Sequence, residues 1–233
     1  MTLLHPERPA ALLNPMTRRH ALAILAAGAL ARCGSNPDLD LSTLKQLIAR
    51  SPQSNAVTRE QAAQIPFASI GIRVDGGPQA MLVLATDTAG DLLWTSAARV
   101  ALVTRAGRIM QTAGFHDNLT ATRFEDGDPL AQALGGAATR SLRLIDLPDA
   151  GGYSIPVEST YRAEDVATIT ILGTALRTRP VVETNRCSKL NWTFQNTFWR
   201  DVNDGFVWRS SQTVSPKGPV LEIEVLRPPA SNA

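Results

Sequence analysis

Acid–base, nucleophilic or metal chemistry in this chain would have to come from three histidines, two cysteines and a few close carboxylate pairs. His5 and His20 fall in a leader-like N-terminus, which leaves His116 alone in the loop-like run Gly114-Phe115-His116-Asp117-Asn118. No G-x-S-x-G elbow accompanies it, so a turn histidine facing solvent is the simpler reading than a catalytic base. One histidine and one further cysteine do not make a zinc site. Neither of the phosphate-cradling glycine motifs is present. The pairs Asp126/Asp128 and Asp201/Asp204 have the residue types of a glycosidase or a Ca²⁺ site. Both sit beside Gly or Pro, where aspartate serves turns through its own local hydrogen bonds. The expectation is a protein that is not an enzyme and that uses no cofactor or metal.

The second cysteine that matters is Cys33. Arg18 and Arg19 precede an apolar run from Ala21 to Ala31, followed by Arg32 and Cys33. A basic flank before an apolar stretch of this length reads as a signal peptide, and the stretch is too short for a membrane-spanning helix. After Cys33 the chain turns polar at once through Gly34, Ser35, Asn36, Pro37 and Asp38, as a tether would. Leu30-Ala31-Arg32-Cys33 resembles a lipobox, in which the thiol takes a diacylglyceryl group and the leader is cut before it. Arg32 departs from the small residue such a site normally carries. An uncleaved anchor, an ordinary signal peptide and a Cys33–Cys187 disulfide therefore stay open as alternatives. Met16 is a second candidate start, which would make the first fifteen residues an extension. The general secretory route is favoured over a twin-arginine one.

The densest constellation runs from Asn191 to Gln212 and holds three of the four tryptophans. Alternation puts Trp192, Phe194, Asn196, Phe198 and Arg200 on one face of a strand, and Thr193, Gln195, Thr197 and Trp199 on the other. Val202-Asn203-Asp204-Gly205 then reads as a hairpin turn, Asp-Gly being a strong signal. The plain reading is a core hairpin with aromatic cross-strand pairs. The functional one makes Trp199, with Gln195, Arg200 and Gln212, a platform that stacks on a sugar or on a protein partner.

What positions these residues is a succession of short strands. Helical spacing is confined to Leu39, Leu41, Leu44, Leu47 and Ile48, to a second turn opened by a Thr58/Gln61 capping box, and to Asp128–Leu134 with Asp128 as N-cap. From Phe67 onward, β-type runs are divided by turn residues such as Asp75-Gly76, Ala89-Gly90 and Ala106-Gly107. The runs are 67–74, 80–86, 92–95, 99–105, 108–112, 119–124, 141–147, 153–161, 166–175, 181–190, 192–202, 206–214 and 220–226. Connections this short leave no room for parallel crossovers. The fold class is therefore mainly β, an antiparallel many-stranded barrel-like or sandwich domain with one or two short N-terminal helices. Charges such as Arg140 and Arg143 on both strand faces argue against a lipid-facing barrel. The organisation is a leader over 1–33, a tether over 34–37, one β-rich domain over 38–228 and a tail over 229–233.

Charge excludes another class. Arg8, Arg18, Arg19 and Arg32 stand against Glu7 in the leader, leaving 19 basic and 20 acidic side chains behind it. That balance is not the footprint of a nucleic-acid binder.

At the aromatic hairpin the sequence also begins to look like a family. Trp192 to Trp199, then Gly205, Val207-Trp208-Arg209-Ser210-Ser211-Gln212, then Pro219 and Leu221-Glu222-Ile223-Glu224-Val225-Leu226-Arg227-Pro228, are similar to the C-terminal signature of the YjbF/GfcB lipoproteins. These are the group 4 capsule polysaccharide lipoproteins. Upstream, Ile65-Pro66-Phe67-Ala68-Ser69-Ile70, Gly76-Gly77-Pro78-Gln79-Ala80, Trp94 and Thr104-Arg105 with Gly107-Arg108-Ile109 fit in order, so the resemblance runs from about Leu44 to Pro228. It implies a lipid-anchored outer-membrane protein with a β-rich body in the periplasm, associated with capsule or exopolysaccharide production and export. The partners it implies are the membrane through the anchor, polysaccharide and outer-membrane export proteins. It carries over no catalytic residue. A polysaccharide-modifying enzyme with an acidic pair is the alternative.

Overall fold

A computed structural model describes residues 56–131 and 139–230. The leader, Cys33, the tether, the Leu39–Ile48 helix and the 132–134 end of the third helix candidate lie outside the described residues.

Helix α1, Arg59–Ala63, opens with the expected capping box. Thr58 Oγ1 accepts the Gln61 N–H at 3.2 Å and Gln61 Oε1 accepts the Thr58 N–H at 2.9 Å, so two otherwise orphaned donors are satisfied reciprocally. Thirteen strands follow. They are β1 (Ser69–Val74), β2 (Ala80–Thr88), β3 (Asp91–Thr95), β4 (Ala101–Arg105), β5 (Arg108–Ala113), β6 (Ala121–Phe124), β7 (Thr139–Leu147) and β8 (Gly152–Ala163). The rest are β9 (Ala167–Ile171), β10 (Thr174–Cys187), β11 (Trp192–Asp201), β12 (Val207–Thr213) and β13 (Val220–Arg227).

All pairings are antiparallel, in the order β5-β4-β3-β2-β1-β13-β12-β11-β10-β8-β7-β6, with β9 on the edge of β10 beyond the end of β8. The two edges meet, because the Thr112 N–H donates to Leu119 O at 2.7 Å and the Leu119 N–H donates to Thr112 Oγ1 at 2.9 Å. One sheet thus curls into a nearly closed barrel, which resolves the barrel-or-sandwich alternative. Full closure is the general solution to exposed sheet edges.

Two expected runs are divided differently. The stretch 166–175 is not one strand. Leu172 and Gly173 both take positive φ and turn β9 straight into β10, as Ala89-Gly90 and Ala106-Gly107 do for their hairpins. The apolar Ile-Leu before the glycine hid that turn. Strand β10 then runs unbroken past Pro180 to Cys187.

Along the strands the interior is layered. One large cluster holds Ile145, Ile155, Val157, Cys187, Leu221 and Ile223 among others, and a second holds Leu130, Tyr161, Val181, Phe198 and Val207. Between them on the same strands lie buried polar residues: Arg143 on β7, Ser159 on β8, Glu183 and Asn185 on β10, Asn196 on β11, and Ser210 and Gln212 on β12. Phe198 is fully buried, whereas Trp192 and Phe194 are half-buried and stack on each other at 3.7 Å. Phe198→Ala is therefore expected to cost about 3–5 kcal/mol in urea unfolding. Phe194→Ala should cost clearly less, and equal losses would contradict this division of the aromatic face.

Candidate functional site

The hairpin β11–β12 carries a bulge. Trp199 pairs with Arg209 while Arg200 pairs with Val207, so Trp208 is the extra residue. The bulge breaks simple alternation: Val207 turns inward, and Trp208 turns its indole N–H to Asp201 Oδ2 at 3.0 Å and meets Phe206 in a T-shaped ring pair. With that register, outward residues line up across the wall. Pro180, Trp199, Arg209, Glu224 and Gly71 form one row over β10, β11, β12, β13 and β1. Arg162, Val182, Thr197, Ser211, Glu222 and Arg73 form the next, beginning on β8.

These rows floor an outer groove of about 370 Å³, to which Arg73, Gln79, Trp199, Arg209, Glu222 and Glu224 contribute. Gly71 lets Gln79 cross over the strand, since a Cβ there would lie 2.4 Å from Gln79 Nε2. Gln79 is pinned at both ends, accepting the Val57 N–H and donating to Glu224 Oε2, each at 2.9 Å. The other Glu224 oxygen takes Arg209 Nη2 at 2.6 Å. The Arg209 guanidinium lies 5.9 Å from the Trp199 ring centroid, which holds the half-buried indole in place. The groove is thus a pre-formed polar trough with one aromatic wall, suited to a ligand that stacks one face and offers hydroxyls to carboxylate, amide and guanidinium.

The four residues expected to form a platform are not brought together. Trp199 and Gln195 do share the outer face, four residues or about 13 Å apart. Gln195 is exposed and bonds Thr184 Oγ1 at 3.3 Å. Gln212 is turned inside, where its Oε1 accepts the Ile109 N–H at 3.0 Å and its Nε2 donates to Gly107 O and Ser210 Oγ, both at 2.9 Å. Its work is to tie β12 to the β4–β5 turn. Arg200 faces the barrel mouth, as alternation within β11 alone dictates. Three of the four aspartates of the acidic pairs are engaged. Asp201 Oδ1 accepts the Asn203 N–H, and Asp204 Oδ1 accepts the Phe206 N–H. Asp128 Oδ1 caps the 3₁₀ turn Pro129–Ala131 through the Leu130 N–H, yet it also holds Arg108. The ring of His116 is exposed and bonds Asp117.

Arg108 belongs to a centre that reading the sequence by faces missed, the polar layer of the barrel. Arg108 binds Asp128 at 2.6 Å and Glu183 at 2.9 Å, and Arg143 binds Glu183 at 2.9 Å. Glu183 also accepts from the Tyr161 hydroxyl at 2.9 Å and from Asn196 Nδ2 at 2.7 Å. Arg143 reaches Ser159 Oγ and Asn185 Oδ1 as well. Burial pushes the Glu183 carboxyl up, but Arg108 and Arg143, helped by Asn196 and Tyr161, outweigh it and hold the group at about 2. Burial, with Glu183 beside it, pushes the Tyr161 hydroxyl up to about 12. Two arginines and two carboxylates balance in charge, and Glu183 has no exposure to solvent. This is a closed structural network rather than a reactive site.

Comparison with known proteins matches this architecture to one family. The model of the family described as group 4 capsule polysaccharide lipoprotein gfcB, YjbF matches residues 41–226. The uncharacterized lipoprotein GfcB of Escherichia coli (strain K12) is 26% identical over 180 residues, 76% of this chain and 83% of that one. The uncharacterized lipoprotein YjbF of the same strain is 27% identical over 160 residues, covering 67% and 73%. The crystal structure of the hypothetical lipoprotein YmcC from Escherichia coli (K12) superposes with a TM-score of 0.64 at 22% identity, covering 84% of this chain and 98% of that one, and so shares the fold. Among the described residues no helix is long and apolar enough to cross a membrane. By the family match over most of its length, this barrel belongs to the group 4 capsule polysaccharide lipoproteins.

Proposed function

We propose that the protein is a non-enzymatic accessory factor in capsule or exopolysaccharide production or export. In this reading it is anchored to the outer membrane through lipid on Cys33, with its barrel in the periplasm, and it holds polysaccharide in the outer groove. The observation that carries the reading is the groove itself, where a half-buried tryptophan stands over a polar floor on a protein of a polysaccharide-associated family. Aromatic faces with neighbouring hydrogen-bonding groups suit sugar rings. The spacing of Gln195 from Trp199 on one face suits an extended chain better than a single ring. Outer-membrane export proteins are the protein partners this role calls for.

Trp199→Ala is the test. The variant is expected to keep the urea midpoint of the wild type while its affinity for the native polysaccharide falls on the order of tenfold. Unchanged retention on a polysaccharide-affinity gel would defeat the groove reading.

One observation favours an enzyme instead: Glu222 and Glu224 line the groove together, and paired carboxylates are the equipment of glycosidases. Against it, both Glu224 oxygens are already engaged by Arg209 and Gln79. Polysaccharide incubated with the protein should keep its size on gel filtration. Shortening that Glu222→Gln abolishes would establish the enzyme.

A further inference from the structure

Where β4 turns into β5 and β11 into β12, the inner wall opens into a cavity of about 430 Å³, within the size range of small-molecule sites. Ile70, Leu92, Trp94, Val207, Ile223 and Val225 make its wall apolar. Arg209, which also lines the cavity, is paired with Glu224, and the polar groups of Trp94 and Ser210 are already used. The Trp94 indole N–H donates to Thr104 Oγ1 at 2.7 Å, and the Ser210 hydroxyl accepts from Gln212. Trp208 and Val225 also line a neighbouring groove of about 240 Å³ with Leu172 and Leu176, so the apolar surface continues outward from the mouth.

Against this wall stands Arg200. It is half-buried, its Nε donates to Gly205 O at 3.1 Å, and it forms no ion pair with any described residue. Asp128 acts on it only from a distance, its carboxylate being bidentate on Arg108. Asp204 on the rim is engaged by the Phe206 N–H. Gly205 leaves room for the guanidinium, because a Cβ there would lie 2.6 Å from Arg200 Nη2. The hairpin turn therefore does more than reverse the chain: it seats a cation at an apolar opening. A half-desolvated cation without a counter-ion is costly, and an anion at the mouth would offset that cost while its apolar tail covered the wall.

We propose that the barrel mouth binds a single apolar chain ending in an anionic head, phosphate or carboxylate, with Arg200 as the head-group contact. The site shares Arg209 and Ser210 with the outer groove but is a separate cavity on the inner side of the wall, and it does not depend on the polysaccharide reading.

The test uses the full chain carrying Cys33→Ser, purified without detergent. Trp94 and Trp208 line the cavity, so tryptophan fluorescence reports binding. Dodecyl phosphate and dodecanoate are titrated below their micellar concentrations, beside dodecanol and inorganic phosphate. At least one of the two anions should saturate at one per chain, and the tighter of them identifies the head group. Arg200→Gln should weaken that anion by about tenfold or more, the worth of a charge-assisted contact, and leave dodecanol unchanged. Arg200→Lys, which keeps the charge, should recover most of the affinity, and this separates head-group recognition from a loss of fold. The proposal is overturned if neither anion saturates or if Arg200→Gln binds as the wild type does. It also fails if dodecanol or inorganic phosphate binds the wild type as tightly as the anions do.

Discussion

Replacing Glu183 with alanine is expected to destabilise the barrel by about 3–5 kcal/mol, the usual cost of taking one partner out of a buried charge cluster. Glu183 is the hub: it accepts from both arginines, from Tyr161 and from Asn196. Without it Arg143 keeps only neutral partners, Ser159 and Asn185, while Arg108 retains Asp128. Glu183→Gln preserves the volume yet removes the charge, so most of the loss should persist. Urea unfolding at neutral pH measures both. If both variants come within about 0.5 kcal/mol of the wild type, the range of ordinary surface changes, the hub assignment is wrong.

The same residue sets an acid limit. Its carboxyl titrates at about 2 in the folded barrel against 4.5 in the unfolded chain. A depressed carboxyl stabilises the fold above its unfolded value, and that contribution disappears as pH falls from 4.5 through about 2. Wild-type stability should drop across this window, and Glu183→Gln should lack that part of the drop. At the other end, Tyr161 is raised from 10.0 to about 12. Its contribution is complete below pH 10 and is lost as pH rises through about 12.

Cys33→Ser is expected to have an all-or-none effect of another kind. Labelled palmitate should enter the wild type and be absent from the variant. A single acyl chain binds a membrane only marginally, so a stable anchor needs the several chains that lipoprotein processing supplies. Arg32→Gly should accelerate processing, because the residue before the cut becomes small. Equal labelling of wild type and Cys33→Ser, or a wild type that is soluble from the start, would overturn the anchor.

Much of this architecture was legible because it is local. Ala89-Gly90, Ala106-Gly107, the Thr58/Gln61 capping box and the alternation of Leu221, Ile223 and Val225 with Glu222 and Glu224 each rest on neighbours a few residues apart. The polar layer was not legible. Nothing near Arg143 in the sequence names its partner, because Glu183 lies 40 positions away. One signal did exist: Arg140 and Arg143 are three residues apart, so if one faces water the other faces in. Gln212 reads as a companion of Trp199 because parity cannot be carried across a bulge that only the folded hairpin reveals. Arg200 was legible in the opposite sense, since it shares the face of Phe198 and not that of Trp199. The mouth cavity depends on Gly205 and on strands from both ends of the chain, which no window of sequence contains.

The layered interior also bears on how the strands find their places. A slip of one residue turns every side chain over and is excluded by the apolar pattern. A slip of two keeps inward residues inward, and a barrel lined only by Val, Ile and Leu would tolerate it. Here such a slip of β10 against β11 would take Glu183 from opposite Asn196, which donates to it, to opposite Phe194 or Phe198. The buried carboxylate would then lose a donor and face an aromatic ring, a costly exchange in a low-dielectric interior. The ring of charge is thus an alignment mark, separating the native pairing from offset ones that hydrophobicity alone would allow.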